Sequence, residues 1–109
     1  MTVEEKDATV VVTNTKDALS DYVANIAGQF SAPQRHLVVN IPLDIQFLNK
    51  EAKLFLPLAK SYKKCKKSFI VVAPHANFST MPEALVVVPS MVEAFDVIEM
   101  EEIERDLGL

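Results

Sequence analysis

The chain has 109 residues, half of them hydrophobic, which is enough for one domain with an apolar core. A formal net charge of -4 argues against nucleic acid as the main partner, because phosphate binding requires a basic surface. No apolar run approaches the ~20 residues of a membrane-spanning helix, and no secretory signal precedes the first predicted strand. The single cysteine, Cys65, excludes an internal disulfide and is compatible with a cytoplasmic location.

The N-terminal third predicts two short strands and an amphipathic helix. The strands are Val3–Glu5 and Thr9–Val12. Asn14 or Thr15 is a candidate helix cap, with Asp17 in the first turn. Apolar residues then recur at spacings of three and four, which is the pattern of a helix with one buried face: Leu19, Tyr22, Val23, Ile26 and Phe30.

The central segment predicts a strand, a crossover helix and a second strand. The strands Leu37–Ile41 and Phe69–Ala73 are almost continuously apolar, which indicates strands covered on both faces. The segment 48–66 between them is long enough for the helix that two parallel strands require, and Asn49 is its candidate cap. Pro57 lies inside this helix and predicts a kink near residues 53–57.

The C-terminal third predicts a very short helix over Met81–Ala84, a strand over Leu85–Val88 and a last helix that runs to about Leu107. Ser90 and Glu93 fit a capping box at the start of that helix. Strands that alternate with helices indicate an α/β fold. We therefore expect one domain over residues 1–109, with a mostly parallel or mixed sheet of about 4–5 strands and helices packed on it.

This order of elements resembles the STAS domain, the fold of bacterial anti-anti-sigma factors, over nearly the whole chain. The most specific part is the strand and helix start Leu85-Val86-Val87-Val88-Pro89-Ser90, followed by Glu93-Ala94. The segment from Val88 to Gly108 is also similar to short bacterial STAS-like proteins that are often labelled ribonuclease Z. The resemblance implies a STAS-like fold and a role in binding another protein.

The chain departs from that family at the head of the crossover helix. STAS regulators carry a phosphorylatable serine or threonine there, in an Asp-Ser-x-Gly-like motif. The corresponding positions are Asn49, Lys50 and Glu51, within a segment that has no hydroxyl and no glycine. The sequence therefore predicts that this degenerate phosphosite is not a phosphorylation switch.

No residue pattern in the chain is typical of catalysis. His36 and His75 lie at strand ends, where we expect them to be solvated, and neither has a second metal ligand nearby in sequence. Cys65 lies among lysines that favour a thiolate, but its place on an apolar flank favours a small buried side chain. The carboxylates between Glu99 and Asp106 are spread around the helix axis, which favours a solvated face over an acid/base or calcium cluster. We expect no metal, no cofactor and no enzymatic activity.

A basic run follows the middle of the crossover helix: Lys60, Lys63, Lys64, Lys66 and Lys67. The run could bind RNA or an acidic partner. Cations also complement the negative end of a helix, and no aromatic residue lies between the lysines to stack on bases. We favour the structural interpretation, in which the lysines complement the negative end of the helix, over binding of RNA or an acidic partner.

The last helix has two apolar sets on opposite sides. Met91, Ala94, Phe95 and Ile98 form one set, and Met100, Ile103 and Leu107 form the other. A straight helix cannot lay both sets on the same sheet. Either the helix breaks near Glu99, or its second half presents an apolar stripe away from the core. The alternative is that the N-terminal strands or the first helix cover that stripe.

The stripe is flanked by charged residues, which is typical of a helix-in-groove or dimer contact. The candidate partner-binding residues are Met100, Ile103, Arg105 and Leu107. We therefore predict a non-catalytic cytoplasmic regulatory module that binds another protein, either a different chain or a second copy of itself. The alternative is an RNA-processing accessory or ribonuclease Z-associated protein.

Overall fold

A computed structural model of the chain describes residues 1–14, 18–30 and 32–108. Within these residues one sheet contains the strands β1 (Thr2–Lys6), β2 (Thr9–Thr13), β3 (His36–Asn40), β4 (Phe69–Val72) and β5 (Val86–Val88). The strands lie in the sheet in the same order as in the chain. β1 is antiparallel to β2, and the other neighbouring pairs are parallel, so the predicted α/β fold with a mixed sheet is confirmed.

The helices are α1 (Leu19–Phe30), α2 (Asn49–Ala52), α3 (Leu56–Lys64) and α4 (Met91–Asp106), with 3₁₀ turns at Lys53–Phe55 and Phe78–Thr80. The crossover helix is interrupted where Pro57 predicted it, because the 3₁₀ turn separates α2 from α3. Pro57 lies in the first turn of α3, where its missing N–H has no helical partner to lose. The candidate cap Thr15 and the predicted first-turn residue Asp17 lie outside the described residues.

The two faces of the sheet have different covers. α1, α2 and α3 pack on the face that carries Val12, Val39 and Val71. From β2 to β5, each strand lies on the same side of the one before it in the sheet. Right-handed crossover connections between strands in such an order place their helices on the same face of the sheet. The opposite face carries Val38 and Ile70 and packs against α4.

Two tyrosines on the helices of the first face donate hydrogen bonds to backbone carbonyls of other elements. The Tyr22 hydroxyl donates to the Val12 carbonyl at 3.0 Å, and the Tyr62 hydroxyl donates to the Phe30 carbonyl at 2.9 Å. Burial raises the pKa of both phenols, to about 12 for Tyr62. These side chains therefore stay protonated; Tyr22 fixes α1 to β2, and Tyr62 fixes α3 to the end of α1.

Two predicted details are wrong. The short helix expected at Met81–Ala84 is replaced by the turn at Phe78–Thr80, because Met81 precedes a proline and takes an extended conformation, with ψ of 148°. Asn49 does not cap the crossover helix. Leu48 is the N-cap, and the Asn49 side-chain amide donates to the Thr80 carbonyl instead.

Candidate protein-binding surface

α4 is one continuous helix from Met91 to Asp106, so it does not break near Glu99. The Ser90 hydroxyl accepts a hydrogen bond from the Glu93 N–H at 3.3 Å, which is the first of the two predicted capping-box bonds. In the first half of α4, Ala94 and Ile98 are buried against the sheet. This half packs as an ordinary amphipathic helix.

The second half of α4 presents polar residues to the sheet. Glu101 and Arg105 continue the line of Ala94 and Ile98, since these four positions are separated by steps of four, three and four. Both charged side chains are about two-thirds to three-quarters buried. The inward line of α4 therefore changes from apolar to charged halfway along the helix.

The charged half of that line contacts Ser68, which directly precedes β4. The Ser68 hydroxyl donates to Glu101 Oε1 at 2.6 Å and accepts from Arg105 Nη2 at 3.1 Å. Arg105 Nη1 lies 3.9 Å from Glu101 Oε1. Ser68 is only 1% exposed, so its single hydroxyl connects the end of α4 to the buried start of a strand.

His36 extends this contact to the neighbouring strand. Its Nδ1 accepts from the Ser68 backbone N–H at 2.9 Å, so the ring proton lies on Nε2, which is 3.1 Å from Glu102 Oε1. His36 is 4% exposed, and the prediction that it is solvated is wrong, because β3 lies inside the sheet and α4 covers its first residue. Burial lowers the pKa of His36, Arg105 and Lys67 lower it further, and Glu102 opposes the shift.

We name His36, Ser68, Glu101, Glu102 and Arg105 the polar cluster. A serine, a histidine and carboxylates together could suggest a nucleophile and a base. Here His36 bonds to the backbone of Ser68 and not to its hydroxyl, and the hydroxyl is buried between Glu101 and Arg105. This geometry holds α4 on the sheet and buries the Ser68 hydroxyl away from solvent.

The outer side of the same half of α4 is apolar. Met100, Ile103 and Leu107 are 60%, 52% and 67% exposed and are separated by steps of three and four. We name these three residues the apolar stripe. Within the described residues, neither the N-terminal strands nor α1 buries it. Of the four predicted partner-binding residues, the structure places these three together and turns Arg105 inward to Ser68.

The lysine run ends α3. Lys60, Lys63, Lys64 and Lys66 are exposed and Lys67 is half-buried. Lys66 takes a left-handed conformation with φ of 59°, and the N–H groups of Lys66 and Lys67 donate to the carbonyls of Lys63 and Tyr62 at 3.1 and 2.9 Å. These two bonds form a Schellman motif. The lysines therefore lie at the negative end of a helix, as the structural interpretation predicts.

The side chains at the head of α2, where the STAS resemblance implied a degenerate phosphosite, make local contacts. The Leu48 N–H donates to Glu51 Oε1 at 2.9 Å, and Lys50 Nζ lies 3.9 Å from Glu51 Oε2. The bond from Asn49 to Thr80 connects the head of α2 to the loop after β4. The side chains at this position support the local fold.

The remaining candidates for chemistry are dispersed. Cys65 is exposed, so the prediction of a buried side chain is wrong, and His75 is exposed in the loop after β4. In the part of the chain that the structure describes, no three His, Cys, Asp or Glu side chains lie close enough together to hold a metal ion. No helix among these residues is both long and apolar enough to cross a membrane.

Four of the carboxylates predicted to form a solvated face are exposed: Glu99, Glu102, Glu104 and Asp106. Glu101 departs from the prediction, since its side chain is about two-thirds buried and accepts a hydrogen bond from Ser68. The sequence contained a signal for this contact. His36 and Ser68 each directly precede the apolar run of a strand, and β3 and β4 pair in parallel from Leu37 and Phe69 onward. Residues that precede neighbouring parallel strands must lie side by side.

No protein-family model and no curated protein matches the chain.

Proposed function

We propose that the chain is a non-catalytic regulatory module of the cytoplasm that binds another protein through the apolar stripe. The observation that carries the proposal is the inverted second half of α4, with charged residues toward the sheet and apolar residues toward solvent. Exposed apolar residues that lie together on one helix are typical of an interaction surface.

The energetic argument concerns the orientation of this half of the helix. Full burial of a side chain such as Ile or Met contributes roughly 1.5–3 kcal/mol relative to exposure. A helix that placed Met100, Ile103 and Leu107 on the sheet would gain that contribution for its own fold. Instead the polar cluster fixes the stripe outward, where a partner can bury it.

The order of the strands favours protein binding over the binding of a small ligand. In open α/β sheets, small ligands bind where the order of strands reverses. Here the strand order follows the chain without a reversal. The order of strands and helices is also the order expected from the STAS resemblance, and we propose a STAS-like domain on that basis.

A substitution of Ile103 tests the proposal. Because Ile103 is about half exposed, we expect Ile103→Asp to leave the domain folded, with a change in unfolding free energy within about 0.5 kcal/mol. We expect it to abolish retention of the partner from native cell extract. Circular dichroism melting and a pull-down with the purified full chain measure the two effects.

Two variants control this experiment. Leu43→Asp makes the same change at an exposed apolar residue in the loop after β3, and we expect it to retain the partner. Ile98→Asp places the charge in the core, and we expect it to unfold the domain. A large loss of stability in Ile103→Asp, or a partner retained by that variant, would reject the stripe as the binding surface.

The RNA-processing alternative is favoured by the exposed lysines. However, the groove that Lys63, Lys66 and Lys67 line is also lined by Glu83, Glu101 and Glu104, so its charge is mixed. An assay on precursor tRNA with added zinc or manganese distinguishes the two functions. Turnover that survives repurification and is lost on substitution of His36 or His75 would contradict the binding proposal.

A further inference from the structure

The exposed charges of α4 are negative. The helix has one cation, Arg105, and its guanidinium is bonded to buried Ser68. Its exposed charged residues are Glu93, Asp96, Glu99, Glu102, Glu104 and Asp106. The apolar stripe is therefore flanked by carboxylates that belong to the same helix.

A groove beside the stripe combines an apolar floor with an acidic rim. It lies between α4 and the turn that joins β1 to β2, and its volume is about 760 Å³. Phe95, Ile98 and Ile103 are its apolar lining residues, which we call the floor, and Ile103 also belongs to the apolar stripe. The rim carries the carboxylates of Asp7, Glu99, Glu102 and Asp106.

One side chain of the protein shows which chemistry suits this groove. Lys6 also lines it, and its ammonium nitrogen lies 5.9 Å from the centroid of the Phe95 ring. Long basic side chains place their aliphatic stems on apolar surface while the charge reaches polar groups. Lysine or arginine from a partner would fit the same combination of apolar floor and carboxylate rim.

We propose that the partner is an amphipathic helix with an apolar seam flanked by lysine or arginine. This inference rests on the proposed function and names the class of partner. The steps of three and four between Met100, Ile103 and Leu107 match the seam of a coiled coil, so a second helix can pack along them. Its flanking cations then face Glu99 and Asp106 across the groove.

The same charges disfavour a second copy of the chain. A two-fold symmetric contact brings the same surface of both copies together. Two copies of α4 joined by their stripes would place carboxylates opposite carboxylates, and like charges across an interface oppose binding. The partner therefore differs from this chain in the sign of its charge.

Two synthetic helical peptides test the inference. Both have about 21 residues, long enough to form helix, and the same leucine seam; one has lysines flanking the seam and the other has glutamates. Circular dichroism first establishes that the two peptides have the same helix content. Fluorescence anisotropy with the purified full chain then measures binding at low and high salt. We expect the lysine peptide to bind at least about tenfold more tightly, with a preference that falls as salt rises.

Variants locate the preference. Glu99→Gln with Asp106→Asn removes two rim carboxylates, and we expect it to weaken binding of the lysine peptide about three- to tenfold. The control Asp21→Asn with Asp44→Asn removes two exposed carboxylates from α1 and from the loop after β3, with the same change in net charge. We expect this control to bind the lysine peptide as the unmodified chain does.

Three results would overturn the inference. Equal binding of both peptides, lost in Ile103→Asp, would leave the protein-binding function but remove the basic partner. A dimer of the unmodified chain that Ile103→Asp dissociates, seen by light scattering after size exclusion, would assign the stripe to a second copy. Failure of the lysine peptide to bind would reject the basic helix, and the pull-down with Ile103→Asp would still decide the proposed function by itself.

Discussion

Lys66 occupies a backbone position that normally belongs to glycine. It is the residue just after the cap of α3, with φ of 59°. A side chain in the left-handed region costs roughly 1–2 kcal/mol, whereas glycine takes this conformation without that cost. The Schellman bonds of Lys66 and Lys67 are therefore formed against local backbone strain.

We expect Lys66→Gly to raise the free energy of unfolding by about 0.5–1 kcal/mol, because relief of the strain exceeds the extra entropy of the unfolded chain. Urea titration of the purified domain measures the change. Lys66→Ala removes the charge but keeps the strain, and it should leave stability within about 0.5 kcal/mol. Equal gains from Gly and Ala would show that charge repulsion within the lysine run, and not backbone strain, is relieved.

His36 makes stability depend on pH. Burial, Arg105 and Lys67 together lower its pKa below the ordinary 6.5, against the opposing effect of Glu102. The unfolded chain then binds the proton more readily than the folded chain. The contribution of neutral His36 is complete above about pH 6.5 and is lost as pH falls from there through the lowered pKa.

We expect the free energy of unfolding to decrease between pH 6.5 and the lowered pKa of His36. Urea titrations at steps of pH measure the slope. His36→Gln can keep an acceptor for the Ser68 N–H but has no proton to gain, and it should show a smaller slope over this interval. An identical slope in that variant would assign the pH dependence to the carboxylates.

At the scale of the element, α4 contains two segments that are held in different ways. The first is attached by Ala94 and Ile98 in the apolar core, and the second by the polar cluster. Contacts of different kinds fail under different perturbations. The second half of α4 can therefore loosen while the first half stays packed on the sheet.

Ser68→Ala tests this separation. Loss of the hydroxyl leaves Glu101 without its donor, at a cost of about 1–3 kcal/mol. In hydrogen exchange measured by mass spectrometry, we expect amides of residues 99–106 to exchange about tenfold faster or more, while residues 91–98 keep their protection. Ser90→Ala is the matched control, since it removes the N-terminal cap and should loosen only the first turn. Uniform loss of protection along α4 would contradict the separation.

At the scale of the whole molecule, strands were easier to predict than the contacts at their ends. Continuous runs such as Leu37–Ile41 identify buried strands by themselves, and the structure has them within one or two residues. The position of the short turn near Phe78 depended on a side chain, Asn77, whose oxygen accepts from Ser79, and no apolar period marks such a turn.

The surface could be predicted in part. Helix periodicity alone separated the apolar stripe from Ala94 and Ile98, but it could not decide between a break and an outward face. The outward orientation of the stripe depends on Ser68 and His36, which are more than 30 residues away in sequence from the second half of α4. Their side chains form polar contacts with carboxylates on the side of α4 that faces the sheet. Arg105 was misplaced for the same reason.

The uneven cover of the sheet has a consequence for synthesis. α4 follows β5 in the chain, so the ribosome completes all five strands before the helix that packs on Val38, Ile70 and Val72 is available. Until then the nascent sheet exposes one apolar face, and transiently exposed apolar surface of this kind is prone to aggregation. We expect a chaperone that binds nascent chains to bind this domain at that stage, and to dissociate once α4 has left the ribosome and packed on the exposed face.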